Sequence, residues 1–210
     1  MVKFNFDLFI IEIYVHTTLT EGQYFHIYNR GVNGEDLFKD QCNYSYFLQQ
    51  YNTYCSDVLE TFAYALLKNH FHLLVYVKQD VQVIKHNGQG TIQLNASKQL
   101  SHFFNSYAQS INKSVNRTGP LFESPFARRL IDDNSYFTSM VHYCHYNPEL
   151  HGFVKDFKEY AFTSYHAILK NDNSFLPSHK VQEWFGGTTG VKNAHESGCN
   201  KNDITKFVIE

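Results

Sequence analysis

Residues 62–77 read Phe-Ala-Tyr-Ala-Leu-Leu-Lys-Asn-His-Phe-His-Leu-Leu-Val-Tyr-Val, and this run decides the fold. Its aromatic and branched side chains predict two buried strands, residues 60–67 and 71–77, with Asn69 marking the bend between them. Side chains alternate between the faces of a strand, so His70 and His72 point one way and Phe71 the other. Two imidazoles ~7 Å apart, at a rise of ~3.3 Å per residue, can converge on one divalent metal from a rigid element. The chain has twelve histidines, so packed or solvent-facing rings are the ordinary alternative for such a pair.

Outward from this run, residues 22–30 alternate in strand fashion and end in the turn signal Asn29-Arg30-Gly31. Residues 43–56 carry apolar positions at helical spacing, with Asn43 placed to cap them. Residues 86–90 are polar and contain glycine, hence a loop. Ser97 is placed to cap a helix running to Val115, whose stripe is Leu100, Phe103, Phe104, Tyr107 and Ile111. Residues 134–146 form another aromatic-rich helix, which Asn147-Pro148 should close. The order is α+β. It predicts one antiparallel sheet with helices packed on it, in a ferredoxin-like arrangement with the histidine pair on a central strand.

Asn69-His70-Phe71-His72-Leu73-Leu74-Val75 resembles the His-hydrophobic-His core of the HUH endonucleases, and more narrowly the single-tyrosine, REP-associated tyrosine transposases. Phe25-His26-Ile27-Tyr28-Asn29-Arg30-Gly31 is similar to that family's opening strand and turn. Leu37-Phe38 with residues 43–48 resembles its first helix. Ser106-Tyr107-Ala108 with Asn112-Lys113 resembles the helix carrying the nucleophile. Residues 119–126, Tyr143-Cys144-His145-Tyr146-Asn147-Pro148 and Thr163-Ser164-Tyr165 resemble later segments in the same order. The likeness covers residues 22–170; where members commonly carry Met-Pro before Asn-His, this chain has Leu67-Lys68.

The resemblance implies a transposase that cleaves and rejoins single-stranded DNA through a 5′-phosphotyrosine, with a His-bound Mg²⁺ or Mn²⁺ polarising the scissile phosphate. It implies Tyr107 as nucleophile and His70 and His72 as metal ligands. The family takes a third ligand from the tyrosine helix, often an amide or acid. Asn112 is the choice here, with Gln109 behind it, although five residues is about 140° around a helix. The pattern of residues alone leaves Tyr107 as a core tyrosine on its apolar stripe. Tyr143 and Tyr146 are the other candidates, and His26 and His145 read as packing residues. Some members exchange nucleophile helices between two copies, so a homodimer is among the expectations.

Composition bounds these readings. The chain has 210 residues, 43% hydrophobic and 17% aromatic, enough for one folded core. Net charge is −2, which counts against a general nucleic-acid coat. Locally the balance reverses: between Lys98 and Leu130 stand five basic residues and one acid, Glu123, a net +4 beside Tyr107. Arg30, Lys113, Arg128 and Arg129 are the candidate phosphate contacts, with single-stranded or hairpin DNA the expected partner. Cys42, Cys55, Cys144 and Cys199 form no close-spaced pair, which points to a reduced, cytoplasmic compartment. No stretch has the length and apolarity of a membrane span, and Phe4 to Val15, broken by Asp7 and Glu12, is a poor signal peptide. Beyond residue 170 the composition shifts to Asn, Ser, Gly and Lys. The domain reading is therefore 1–170 for the transposase-like unit and 171–210 for a C-terminal appendage, with a short helix over Val181–Gly187. Two alternatives stay open: a domesticated relative that binds nucleic acid without cutting it, and a metal-dependent phosphodiesterase that uses water.

Overall fold

A computed structural model of the chain describes residues 17–84 and 88–197. The apolar segment within residues 4–15, the loop residues 85–87 and Cys199 lie outside the described residues. Strand β1 (Tyr24–Arg30) is followed by helix α1 (Gln41–Cys55), strands β2 (Leu59–Leu67) and β3 (His70–Val77), and a small ribbon of β4 (Gln82–Ile84) and β5 (Thr91–Gln93). Then come α2 (Ala96–Ser114), β6 (Ala127–Ile131), α3 (Asn134–Leu150) and the short helices α4 (Tyr165–Leu169), α5 (Ser178–Trp184) and α6 (Thr188–Glu196). The main sheet is antiparallel in the order β2-β3-β1-β6. Without the inserted ribbon, the chain order is βαββαβ, and the ferredoxin-like expectation holds. β3, which carries the histidine pair, lies inside the sheet between β2 and β1.

The two-residue period sorts the sheet into two cores. Phe25, Ile27, Phe71, Leu73 and Val75 face α1 and α2, where Phe47, Tyr51, Leu100, Phe103 and Tyr107 close over them. Phe71 is fully buried there, and a buried Phe is worth about 1.5–3 kcal/mol. Ala63, Ala65, Leu67 and Leu74 face the other way, toward Met140, Val141 and Cys144 of α3. Leu176, Val181 and Val191 belong to this second core, so residues 171–197 pack against the body of the protein through α5 and α6.

Helix boundaries differ locally from the pattern. α1 starts two residues before Asn43, because Asp40 is the N-cap and Asn43 is the N3 residue whose side chain accepts the Asp40 N–H at 2.9 Å. α2 is capped by Asn95, whose side chain accepts the Lys98 N–H at 3.0 Å. α3 runs through Asn147 and Pro148 to Leu150, four residues beyond the expected end. Both of these residues are buried, so packing holds the last turn where local preference would stop it. Among the described residues no helix is long and apolar enough to cross a membrane, and Cys42, Cys55 and Cys144 are free thiols.

Candidate active site

The histidine face of the sheet is built by alternation. In β3 it carries His70, His72, Leu74 and Tyr76; in β1 it carries Tyr24, His26, Tyr28 and Arg30. The register pairs Tyr28 with His72 and Arg30 with His70. In β6, Arg129 lies across from His26 and Ala127 from Tyr28. α3 covers this face. Tyr143, Asn147 and His151 stand four residues apart, so they form one stripe along the helix and its C-cap.

That stripe meets the histidines. The Tyr143 ring is 5.1 Å from His72 and 6.0 Å from His26. Asn147 places Oδ1 3.0 Å from His70 Nε2, and the His151 ring is 4.8 Å from that of His70. Tyr28 stacks on both His26 and His72. Tyr143 and Asn147 are buried at the floor, and Arg30 and His151 are exposed at the mouth.

Burial sets the electrostatics. Desolvation pushes the His26 imidazole down to about 3, with the Arg129 charge adding to it. It pushes His70 down to about 4 and His72 well below its ordinary value. All three rings are therefore neutral near pH 7. Desolvation also raises the Tyr28 phenol to about 12, against the pull of Arg129 and Arg30.

Neutral rings donate once and accept once. If His70 donates Nδ1–H to Asn69 Oδ1, 2.8 Å away, its Nε2 lone pair faces the Asn147 oxygen. His72 Nδ1 lies 2.9 Å from His26 Nε2, and His72 Nε2 is buried with no hydrogen-bond partner. In the tautomers where His70 donates Nδ1–H to Asn69 and His72 donates Nδ1–H to His26, the two Nε2 atoms and the Asn147 oxygen present lone pairs toward one another. This donor set fits a divalent cation that keeps water or phosphate oxygens on its remaining positions. Among the described residues no three His, Cys, Asp or Glu side chains group as a metal site, and the oxygen beside His70 Nε2 is the Asn147 amide.

No family model matches the chain. A Haemophilus influenzae protein named as a REP-associated tyrosine transposase is 26% identical over 130 residues, covering 59% of this chain and 69% of that protein. A solved structure of a REP-associated tyrosine transposase bound to a REP hairpin aligns with a TM-score of 0.57 at 16% identity, over 79% of this chain and 88% of that one. The structural likeness speaks for the fold, and the curated relative carries the sequence link. The chain is similar to the REP-associated tyrosine transposases.

The residues picked out from sequence fall in different places. Tyr107 falls away from the histidine pair it was expected to join. Its hydroxyl donates to the Leu37 carbonyl at 3.0 Å, fully buried among Phe38, Phe47 and Phe103 on the far side of the sheet. The apolar stripe of α2 turned it into the core, and the sheet stands between it and His70. Burial raises its phenol far above the ordinary range. Asn112 shares that helix and does not approach the histidines; it donates to the Gly119 carbonyl and accepts from Arg117, tying down the loop after α2.

The candidate basic residues separate as well. Arg128 and Arg129 are neighbours in sequence but point to opposite faces. Arg128 donates to the Thr17 carbonyl and lies over Phe126, while Arg129 is on the histidine face over Tyr136. Arg30 stands beside His70 in an exposed ion pair with Glu123. Lys113 is exposed in the last turn of α2. His26, read as a packing residue, is hydrogen-bonded to His72. Tyr146 turns away and donates to the His195 carbonyl. Asn147, Tyr28 and His151 were missed, although the spacing of Tyr143, Asn147 and His151 and the alternation of His26, Tyr28 and Arg30 are both legible once each element is assigned.

Proposed function

We propose that this chain nicks and rejoins a single DNA strand beside a hairpin, with Tyr143 as the nucleophile. The observation that carries the reading is the meeting of α3 with β3: a tyrosine and an amide one helical turn apart face a histidine pair on a rigid strand. His70, His72 and the Asn147 oxygen would hold Mg²⁺ or Mn²⁺, which supplies a positive charge against the scissile phosphate. His26 orients His72, leaving its Nε2 lone pair toward the site. The Tyr143 oxygen bonds to phosphorus as the bond to the 3′-oxygen breaks, leaving a 5′-phosphotyrosine and a free 3′-hydroxyl. The phosphodiester energy stays in the new ester, so the same hydroxyl can attack it and reseal the strand without ATP.

Charge on the same face supports a nucleic-acid substrate. Arg30 at the mouth and Arg129 beside Tyr28 flank the histidines, and Tyr28 offers a half-buried ring against which an unpaired base can stack. Nucleophile and metal donors come from one chain, so the site needs no second copy. The similar solved protein is bound to a REP hairpin, and we extend that class of ligand to this chain. The test is incubation with Mn²⁺ and a 5′-overhung DNA hairpin, followed by denaturing electrophoresis. A covalent protein–DNA band supports the reading. Cleavage without any band would make water the nucleophile.

A further inference from the structure

α3 has a second polar side that the proposed chemistry does not use. Facing away from His70, it presents His142, His145 and Tyr146 to α6. Buried polar contacts there run in one line. His195 Nδ1 lies 2.8 Å from the Val191 carbonyl. His195 Nε2 lies 2.8 Å from His145 Nδ1, and His145 Nε2 lies 2.8 Å from Ser164 Oγ. Ser164 Oγ in turn accepts the Tyr64 N–H at 3.0 Å.

The chemistry of the end groups fixes the direction of this line. A carbonyl only accepts, so His195 carries its proton on Nδ1 and leaves Nε2 as an acceptor. His145 must then donate from Nδ1 and accept at Nε2. Ser164 donates its hydroxyl proton to that nitrogen; its approach to the Tyr64 carbonyl is longer, 3.5 Å. Reversing any link leaves two protons or two lone pairs face to face. His145 and His195 are fully buried, and burial holds both neutral, as the chain of bonds requires. The line joins β2, α3 and α6, and Tyr146 adds a second tie by donating to the His195 carbonyl at 2.7 Å.

We infer that His195 is a positioning residue: by accepting from His145 it fixes the rotation of α3 about its axis, and so the aim of Tyr143 and Asn147 into the site. This rests on the nicking reading for its consequence but not for its geometry. One helix carries both sets of residues, His142 and His145 toward α6 and Tyr143 and Asn147 toward β3. A small roll of α3 that relaxes one side misaligns the other. The C-terminal segment is thereby part of the working site.

The test compares His195→Phe, which keeps a flat ring against His142 but has no nitrogen, with His195→Gln, whose amide oxygen can still accept from His145. His195→Phe should slow nicking of a hairpin oligonucleotide by about a hundredfold, the scale of a displaced reacting group, with its affinity for the oligonucleotide unchanged. The side-chain amide signal of Asn147 should shift with it. His195→Gln should restore both. Parental nicking by the Phe variant, or a Gln variant no better than Phe, overturns the inference. Should the Phe variant fail to fold, nitrogen NMR of the parent decides: His145 and His195 must both be Nδ1–H tautomers, and an Nε2–H signal for either contradicts the chain. If the parent nicks nothing, the nicking reading fails alone, and the Asn147 signal and the tautomers still judge the positioning role.

Discussion

His26 Nε2 lies 2.9 Å from His72 Nδ1, both rings buried and stacked on adjacent strands. This bond decides which nitrogen of His72 is available to the site. Replacing His26 by Ala frees the His72 ring to rotate and exchange tautomers. Affinity for Mn²⁺, measured by calorimetry, should fall about ten- to a hundredfold, as for other residues that orient a metal ligand. His70→Ala and His72→Ala should lose it altogether. Unchanged affinity in His26→Ala would separate that ring from the site.

Tyr107→Phe removes the bond to the Leu37 carbonyl and leaves that acceptor buried without it. Stability by urea denaturation should fall by about 1–3 kcal/mol, while adduct formation persists. Loss of the adduct in a folded Tyr107→Phe protein would return Tyr107 to the chemistry.

The two adjacent arginines should behave differently. Arg129→Ala, on the histidine face, should weaken binding of single-stranded DNA and flatten its dependence on log salt by about 0.7, the value for one lost phosphate contact. Arg128→Ala loses its bond to Thr17 and its packing on Phe126, so it should lower stability and leave the salt slope alone. Equal slopes for both variants would remove Arg129 from the DNA path.

Stability should fall as pH drops below neutrality. Burial takes His142 down to about 3 and His195 to about 4 from an ordinary 6.5. The unfolded chain therefore binds more protons than the folded one between these values, and stability rises with pH across that window. From pH 6.5 downward each such histidine should cost about 1.4 kcal/mol per pH unit until its folded value is reached. Urea midpoints at pH 7.5, 6.0 and 5.0 check this, and a flat series would mean that these rings are protonated in the native state. His195→Phe should flatten the slope in part.

Much of the fold was legible because one apolar run fixed two strands, and alternation fixed which side of each strand faced which core. His70 and His72 sharing a face followed from the period alone. The tyrosine did not. Tyr107 and Tyr143 both sit on apolar helical stripes, and what separates them is which face of the sheet each helix covers. That depends on topology rather than local pattern, and likeness of short segments pointed to a helix on the face away from the histidines. Asn147 was hidden for a different reason: the proline after it signalled a helix end, whereas burial in the second core carries α3 onward to His151. The C-terminal segment read as an appendage because its composition is polar; Leu176, Val181 and Val191 are few in number but all turned inward.

The most direct test of the central claim is to locate the covalent bond. The protein is incubated with Mn²⁺ and a hairpin oligonucleotide, the adduct is digested with protease and nuclease, and the modified peptide is sequenced by mass spectrometry. The expected result is a phosphotyrosyl nucleotide on Tyr143, absent from Tyr143→Phe and retained in Tyr107→Phe. A nucleotide on Tyr107, or an adduct that survives in Tyr143→Phe, would contradict the site described here.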